Sequence, residues 1–536
     1  MVTRINLILI VFLSCFAPTW AQKPTTTPQP LELPDIVISG TEKIDVPAGT
    51  KQMPQKSDPL TKQELDSLNS LEKQPALLLP LGMLKFNRST PTFSQGFVRG
   101  EFGQFISPII DAGYGTIFSG YSINALAGYA SSKGHIDNAQ FSKLKLHLNA
   151  DYIAPDKFVF FGGSKTETTL DFGRQAYNLY AVPTSPEERT STDFSATIGV
   201  KGNYNSFGYS AGGGWSSISL SQGHGGASDN ALSGQVSIQN TWNEAIVGGS
   251  LLLDLHTVRG NASNFIEAGG FAEYMLSDFT FSGTAAIQTA NTSDGITFGG
   301  IKISSNVNYR LNHLFTLSGG LATGLENNSF REMLQHNPYL ADSAVVSFPR
   351  NHIIAKATIL YHPLEVFSVK AGLLYKLVSN TPLYISTTVG TFLPLYAEVS
   401  TFELQGDCVW KISKRDNLTA YTAITSAMLT NNTSSSTMQT VPYIPSFKLT
   451  GSWHRNWSGQ IGTQITAQNV SVRYTDTDKK QELSGFTTVN LWGEYTFNHS
   501  TRVHVRIDNI LNSTVFLWDG YKERGLFIGV GINWQF

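Results

Sequence analysis

One motif in the chain matches a catalytic pattern, the G-x-S-x-G of Gly208–Gly212. In serine hydrolases this motif needs a sharp turn from a strand into a helix, because that turn exposes the serine. Here residues 213–215 read Gly-Gly-Trp, and no helical spacing of apolar residues follows them. We therefore predict that Ser210 lies in a glycine-rich strand, where glycine eases packing or curvature, and that the chain is not an enzyme.

Ionisable residues occupy every second position in two segments, so each row falls on one face of a strand. One row is Arg502, His504, Arg506 and Asp508, and the other is Lys143, Lys145 and His147. Because Arg costs roughly 2–4 kcal/mol near the bilayer centre, neither row suits a lipid face. Both rows are predicted to face the lumen of a membrane barrel. There they select a solute or hold the leader peptide predicted for residues 22–92. The alternative is that any wide barrel needs a polar interior.

The sequence gives little support for a metal site, a further catalytic motif or a disulfide. Asp254 and His256 share a strand face, but two ligands do not make a metal site. The chain has no H-E-x-x-H and no Walker loop, and its two cysteines are Cys15 and Cys408. Since Cys15 lies in the predicted signal peptide, the mature chain keeps one cysteine and forms no internal disulfide. We predict no catalytic, cofactor-binding or metal-binding residues.

Composition indicates a membrane barrel. The 536 residues are 41% hydrophobic and 15% charged, below the roughly 25% charged residues of soluble domains. Yet beyond the first two dozen residues no stretch stays apolar for the roughly 18 residues that a spanning helix needs. Apolar content without apolar runs indicates alternation, the period of a strand. The net charge of −2 gives no reason to expect a nucleic-acid partner.

The first residues have the features of a secretory signal. Arg4 supplies a positive start, residues 7–16 form a short apolar stretch, and Ala21 ends a small-residue cleavage site. Residues 1–21 are therefore predicted to be a signal peptide. A lipoprotein site at Cys15 is the alternative, which the bulky residue three positions before it disfavours.

Two regions follow the predicted cleavage site. Residues 22–92 begin with a proline- and threonine-rich stretch, which predicts a largely disordered periplasmic leader. Residues 93–536 contain no long linker, no charge block and no change in the pattern of residue types. One large closed sheet explains this second region better than a string of soluble domains.

The last eleven residues show the strand pattern most clearly. Large apolar residues fill the even positions from 526 to 536, and glycine or polar residues fill most positions between them. One face therefore suits lipid and the other a polar lumen. The aromatic end, Trp534 and Phe536, resembles the signal that the outer-membrane assembly machinery reads.

Turn spacing predicts the number of strands. Tight polar breaks fall near Gly120, Asp156, Asn205, Asn243, Asp278, Asn312, Pro363, Arg415, Trp457 and His499. Longer gaps lie at 170–190, 324–347, 379–395, 428–440, 473–483 and 513–524. Short turns alternating with long loops are typical of outer-membrane barrels. Each of the ten short turns joins two strands, and one further strand leads to each chain end on the same side, which gives about 22 strands. The predicted fold class is therefore all-β, a transmembrane antiparallel β-barrel of about 22 strands.

The barrel is expected in the lipid of the outer membrane of a Gram-negative-type bacterium. A soluble β-sandwich or propeller is the alternative, because it also alternates apolar and polar residues. The export signal, the loop asymmetry and the aromatic C-terminus disfavour it.

Both ends of the chain resemble the TonB-dependent receptor family, whose barrels have about 22 strands. The segments Asp508–Asn512, Trp518–Tyr521 and Arg524–Gly525, with the last strand, resemble the family's closing segment. Near the N-terminus, Leu33–Glu42 is similar to the family's leader. The resemblance implies a TonB-box-like contact for TonB, formed by Asp35, Ile36, Val37, Ile38 and Ser39.

The family's plug domain, with its Arg-Gly and Asp-Gly motifs, has no counterpart in residues 22–92. The chain therefore resembles a plug-less member, which lacks the part that TonB pulls. Residues 35–39 are then a TonB contact, a relic, or a contact for another protein, such as a partner protein acting as a plug.

Three functions follow from these features. The first is a transport or channel protein, in which residues 22–92, the long loops or another chain act as the gate; barrels of this size are usually plugged. The second is a non-transporting scaffold or assembly partner, which the missing plug favours. The third, an outer-membrane enzyme, is disfavoured because no nucleophile, base and orienting residue occur together.

Overall fold

The computed structural model describes residues 96–536 apart from 119, 157–160, 182–186, 224 and 431–438. The predicted signal peptide, the leader and the TonB-box-like residues 35–39 therefore lie outside the described residues.

The described chain forms a closed antiparallel sheet of 22 strands. Its strands are β1 (Gly96–Gly103), β2 (Ser107–Phe118), β3 (Tyr121–Ser132), β4 (Phe141–Ile153), β5 (Lys165–Leu179), β6 (Glu187–Tyr204), β7 (Phe207–Gln222), β8 (Gly225–Trp242), β9 (Ala245–Val258), β10 (Asn261–Leu276), β11 (Phe279–Asn291), β12 (Thr297–Arg310), β13 (Phe315–Leu325), β14 (Arg350–Leu364), β15 (Phe367–Ser386), β16 (Phe392–Lys411), β17 (Asp416–Leu429), β18 (Phe447–Asn456), β19 (Ile461–Val470), β22 (Phe486–Thr496), β23 (Thr501–Asp508) and β26 (Phe527–Gln535). The barrel closes where β1 pairs with β26. The predicted fold class and strand count are confirmed.

Smaller elements lie in the loops. They are the hairpin of β20 (Arg473–Tyr474) and β21 (Glu482–Leu483), the hairpin of β24 (Phe516–Trp518) and β25 (Tyr521–Lys522), and helix α1 (Phe330–His336). Helix α1 starts with a capping box, in which Ser329 and Glu332 bond each other's backbone N–H groups. Within the described ranges, no helix has both the length and the apolar character needed to cross a bilayer.

Alternation along each strand separates an apolar outer wall from the barrel interior. On β26, Ile528, Val530 and Ile532 are exposed, whereas Phe527 is buried. On β7, Ser210 of the G-x-S-x-G motif lies inside a continuous strand, as predicted, with no strand-to-helix turn around it. The period of two therefore separates the outer face of the wall from its inner face.

The apolar belt on the outer wall is as high as a bilayer requires. Exposed apolar residues run from Phe207 to Trp215 on β7 and from Trp242 back to Leu232 on β8. Both stretches match the ~9–11 residues that a tilted strand needs to cross. Beyond them the outer face becomes polar, as at Ser217, whose hydroxyl donates to Asn230 Oδ1 at 2.8 Å. The upper parts of these strands therefore project beyond the membrane.

The two rims differ as predicted. Nine connections on one rim have four residues or fewer, and the tenth on that rim, 154–164, lies partly outside the described residues. The long connections 326–349, 430–446, 471–485 and 509–526 lie on the other rim. In outer-membrane barrels the short turns are periplasmic and the long loops extracellular. The break expected near Pro363 falls just after β14, at residues 365–366.

Two of the predicted long gaps are wrong. Most of 170–190 belongs to β5 and β6, and most of 379–395 belongs to β15 and β16. These strands continue past the membrane because their ends, including Leu179, Tyr384 and Phe392, are buried in an apolar cluster at the extracellular mouth.

Candidate functional site: a lid across the extracellular mouth

The largest buried apolar cluster of the described chain lies at the extracellular mouth of the barrel. Its strand members are Leu179, Ile218, Leu220, Ala227, Val258, Tyr384, Phe392, Val470 and Phe486, and its loop members are Phe330, Met333, Leu334, Leu340, Ala344, Val346, Tyr443, Leu483, Val515, Leu517, Trp518 and Tyr521. Strands β5 and β16 stand half the barrel apart in the sheet order. One cluster can include both only because loops cross the mouth.

Two loops supply most of the loop members. We call residues 326–349 the helix loop, since it contains α1, and residues 509–526 the terminal loop, since it precedes the last strand. Together they are the lid. Ten side chains of the lid are buried in the cluster, with two from other loops and nine from the strand ends. The lid is therefore packed like a protein core.

Arg189 of β6 anchors the helix loop to one wall. Its fully buried guanidinium donates from Nη1 to the carbonyl oxygens of Pro338, at 3.0 Å, and Leu340, at 2.8 Å. Its Nε and Nη2 both donate to Gln222 Oε1, at 3.1 and 2.6 Å. Because a buried charge is tolerated only when its hydrogen bonds are made, this arginine fixes the loop backbone in place.

A second arginine repeats this arrangement. Arg259, after β9, donates to the carbonyl oxygens of Asp342 at 2.9 Å and Ala344 at 3.1 Å. Within the loop, Arg331 of α1 pairs with Asp193 of β6 at 2.9 Å. The helix loop is thus tied to the β6–β9 wall by three arginines, whose charged hydrogen bonds are the stronger kind.

The opposite wall holds the same loop through backbone pairing. The N–H of Phe392 donates to Tyr339 O at 2.9 Å, and the N–H of Ala341 donates to Phe392 O at 2.8 Å. The hydroxyl of Tyr396 donates to Val345 O at 2.6 Å. Residues 338–345 of the helix loop are therefore held between the two walls.

Below the start of the helix loop, Asp254 and His256 meet, as their shared strand face predicts. His256 Nδ1 lies 2.8 Å from Asp229 Oδ1, and its Nε2 lies 3.0 Å from Asp254 Oδ1. Asn327 of the loop donates to Asp254 Oδ2 at 2.6 Å. Among the described residues, no three His, Cys, Asp or Glu side chains converge as metal ligands. These ion pairs and the hydrogen bond from Asn327 hold the start of the helix loop against the wall.

Tyr521 joins the terminal loop to the rest of the lid. Its fully buried ring stacks on Tyr339, with the centroids 3.4 Å apart, and meets Tyr180 edge to face at 5.0 Å. Its hydroxyl donates to Gly390 O at 2.5 Å. Three loops and the end of β5 therefore converge on one side chain.

The tip of the terminal loop reaches the β4–β5 side of the rim. Lys522 O accepts hydrogen bonds from Tyr180 Oη at 3.0 Å and His135 Nε2 at 2.8 Å. Gly520 has φ +78, and a Cβ there would lie 2.7 Å from the Cβ of Ala181. Only glycine fits both this backbone conformation and this contact.

The base of the terminal loop is held by Arg473, which is 2% exposed. Its Nη2 donates to Phe516 O at 2.5 Å and its Nη1 to Leu517 O at 3.4 Å. Burial lowers the pKa of Arg473 to about 10, which leaves it charged at neutral pH. Hairpin β20–β21 thus carries the charge that orders hairpin β24–β25.

Among the lid groups whose pKa values are shifted, His336 and Glu523 titrate closest to neutral pH in free solution or in the closed lid. His336 of α1 stacks on Tyr384 with the ring centroids 5.3 Å apart, and burial lowers its pKa to about 4. In the terminal loop, burial raises the pKa of Glu523 to about 7, although Arg524 opposes the shift. A closed lid therefore prefers a neutral His336 and a protonated Glu523.

The predicted row on β23 lies on the inner side of the wall. His504, Arg506 and Asp508 are buried, and Arg502 is half-buried with its Nη1 3.7 Å from Glu494 Oε1. Its deepest members contact Glu101 of β1, a residue that the sequence did not single out.

The predicted row on β4 also faces the interior, because the exposed Leu146 lies on the other face of the strand. Lys143, Lys145 and His147 are less buried than the β23 row, and His147 Nδ1 lies 2.7 Å from Asp171 Oδ1. Strands β3, β2, β1 and β26 separate β4 from β23. The structure therefore does not bring the two rows together.

Trp534 and Phe536 lie where the barrel closes. Phe536 pairs with Gly96 through two backbone hydrogen bonds, of 2.8 and 2.9 Å. A Cβ on Gly96 would lie 2.5 Å from Phe536 Cζ, so the ring covers that glycine. The Trp534 ring is 4.7 Å from that of Phe536. The residues predicted as an assembly signal thus pack at the β1–β26 junction.

Sequence reasoning singled out neither Arg189 nor Arg259, which anchor the lid, and it named Tyr521 only within the segment Trp518–Tyr521 and not as a lid contact. Their spacing resembles that of any other polar or aromatic strand and loop residue. Their partners are carbonyl groups and rings more than 80 residues away, so no local pattern marks them.

No family model and no curated protein sequence matches this chain. Solved structures do match it over most of its length. The ferric-catecholate import receptor Fiu from E. coli K12, in its closed form, aligns with a TM-score of 0.63 at 10% identity over 83% of this chain and 82% of that chain. The copper transporter OprC aligns with a TM-score of 0.64 at 11% identity, covering 84% and 83%. The FrpB iron transporter from Neisseria meningitidis aligns with a TM-score of 0.66 at 8% identity, covering 84% and 82%.

These matches show the fold, which is that of the TonB-dependent receptor barrels, as the two ends of the sequence predicted. At such low identity they carry no residue of a binding site over to this chain.

Proposed function

We propose that this chain is an outer-membrane transport protein whose extracellular mouth is closed by the lid. The apolar cluster that joins opposite walls through the helix loop and the terminal loop supports this function. A barrel that serves only as a scaffold needs a wall, but it does not need two loops packed as a core across its mouth. Solved proteins of the same fold carry the names of iron and copper transporters.

In this proposal the long loops are the gate, one of the gates expected from the sequence. Beneath the lid the interior is polar, and Lys143, Lys145 and His147 line it as the surface that a passing solute meets. Arg502, paired with Glu494, adds to that lining. A lining of this kind favours polar or charged solutes over apolar ones.

The predicted processing and partners belong to the same proposal. Residues 1–21 direct export, and residues 22–92 form a periplasmic leader without a plug. Within the leader, Asp35–Ser39 contacts TonB or a partner protein that acts as the plug. The assembly machinery reads the C-terminal aromatic residues Trp534 and Phe536.

Conductance of the full chain in planar bilayers tests the gate. The wild-type protein is expected to be closed, and a variant with residues 515–523 replaced by Gly-Ser-Gly is expected to pass a steady current. The matched control replaces residues 478–480, exposed at the tip of the other hairpin and outside the lid cluster. That control should remain closed.

Two results contradict the proposal. One is a wild-type protein that conducts freely, because its mouth is then not closed. The other is a folded 515–523 variant that passes no current and co-purifies from native membranes with a stable partner, which supports the scaffold alternative.

A further inference from the structure

Glu101, His504 and Arg506 meet inside the wall where the barrel closes. They are 6%, 3% and 7% exposed. Glu101 Oε2 lies 3.1 Å from His504 Nε2, and Glu101 Oε1 lies 2.6 Å from Arg506 Nη2. We propose that this group is a clasp that holds the first strand to the last two strands, and that it takes no part in binding solute.

The sheet order makes this contact unusual. Glu101 lies on β1 and the other two residues lie on β23, with β26 between them. The Glu101 side chain must therefore reach across an entire strand. It does so over two glycines on the inner face of β26: a Cβ on Gly529 would lie 2.9 Å from Glu101 Oε1, and one on Gly531 would lie 2.5 Å from His504 Nε2.

The charges of the clasp are balanced by further partners. Asp508 Oδ2 lies 3.7 Å from Arg506 Nε and 3.2 Å from Arg524 Nη2. Buried ion pairs add little stability compared with apolar packing, but removing one partner leaves the other buried and unpaired. The deep burial of Arg506 therefore makes the clasp depend on Glu101.

The junction of β1 and β26 lacks the direct chain connection that the other neighbouring strands have. Every other neighbouring pair in the barrel is joined by a connecting loop or turn, whereas β1 and β26 come from opposite ends of the described chain. If this pairing opens, both strands expose unpaired backbone groups, which are costly in a membrane. A side-chain contact spanning β1, β26 and β23 opposes that opening.

An ion pair away from the junction provides a matched control. Glu267 of β10 accepts from Lys302 Nζ of β12 at 2.8 Å, across the intervening β11. It therefore shares the arrangement of one side chain reaching over a strand, with a lysine more exposed, at 35%, than Arg506, at 8%. Because loops and turns connect β10, β11 and β12, losing this pair cannot open the barrel at its junction.

The experiment compares Glu101→Gln with Glu267→Gln in the full chain. The measurements are hydrogen exchange of the β1 and β26 amides and the unfolding rate, followed by the loss of heat-modifiable mobility on gels. Glu101→Gln is expected to speed exchange at the junction about a hundredfold, whereas Glu267→Gln should leave those amides unchanged.

A disulfide across the junction separates opening from general destabilisation. Gly100 lies opposite Ile532 in the β1–β26 register, and a Cβ on Gly100 meets no atom within 4 Å. Cysteines at both positions, when oxidised, should return the unfolding rate of Glu101→Gln to that of the wild type. The same disulfide should not rescue Glu267→Gln, and reduction should remove the rescue.

Several outcomes would overturn the clasp: uniform exchange in Glu101→Gln, equal effects of both substitutions at the junction, or no rescue by the disulfide. If Glu101→Gln does not fold, His504→Phe replaces it, because the new ring keeps its place beside Trp492 but no longer contacts Glu101 Oε2. Its control is His147→Phe on β4, which removes the contact with Asp171 away from the junction. Faster junction exchange in His504→Phe alone supports the clasp, and equal exchange in both contradicts it.

Discussion

Replacing Tyr521 with alanine should open the extracellular mouth while leaving the barrel wall intact. This ring joins the terminal loop to Tyr339 of the helix loop, to Tyr180 beside β5, and to Gly390 between β15 and β16. None of these contacts lies in the membrane-spanning wall. The substitution therefore weakens the closed lid and spares the barrel.

The expected size of the effect follows from the burial of this side chain. Truncating a fully buried aromatic residue to alanine costs about 3–5 kcal/mol. Taking the lower value, the ratio of open to closed lids rises about a hundredfold, since 1.4 kcal/mol is about tenfold. Tyr521→Phe keeps both ring contacts and loses only the hydrogen bond to Gly390 O, which is about 1 kcal/mol, or about fivefold.

Single-channel recording gives the open fraction directly for the wild type, Tyr521→Phe and Tyr521→Ala. The graded order of the three proteins is the expected result. Tyr495→Ala is the control, because Tyr495 is an aromatic residue exposed on the outer wall. Its open fraction should equal that of the wild type.

Heat-modifiable mobility on gels confirms that each variant is a folded barrel before its current is interpreted. A folded Tyr521→Ala that stays as closed as the wild type would refute the reasoning, because the packed cluster would then not be what keeps the mouth shut.

The other predictions concern the anchors, the titrating groups and the C-terminus. Arg189→Met removes the donor for two carbonyl groups of the helix loop, so hydrogen exchange across 326–349 should accelerate while the wall strands keep their protection. In the open lid His336 titrates near 6.5, so its lowered closed-state pKa means that acidification from pH 7 to 5 favours opening by about 2 kcal/mol. The raised pKa of Glu523 means that the same acidification favours closure; Glu523→Gln and His336→Phe should therefore show opposite pH slopes of the open fraction, and equal slopes would contradict both assignments. Phe536→Ala removes the ring that covers Gly96 and should reduce the fraction of heat-modifiable barrel in the outer membrane, whereas Phe497→Ala, exposed near a periplasmic turn, should not.

The strands within the membrane were predictable because the bilayer imposes a rule on each residue separately. On β23, Val505 meets lipid and its neighbour Arg506 meets the interior; on β26, Ile532 meets lipid and its neighbour Gly531 meets the interior. The sequence therefore reveals which way each side chain points. It does not reveal that Arg506 meets Glu101, because their positions are 405 residues apart and only closure of the barrel brings them together.

The strand ends above the membrane were not predictable from the same rule. In β15 the register shifts between Val378 and Thr381, and Pro382 follows, which in sequence is typical of a loop. Here one face packs on the lid and the other meets water. Without lipid outside, nothing requires the outer residues to be apolar, and the alternation fades.

The sequence by itself determined a wall: the two-residue period, the placement of short turns and the direction of the ionisable rows all follow from interactions between each residue and its solvent. Only the tertiary structure decided what closes that wall. Tyr339 and Tyr521, or Arg189 and Leu340, are held together by packing between segments far apart in the chain. Because such contacts depend on where the wall places the loops, the lid becomes visible only once the barrel has closed.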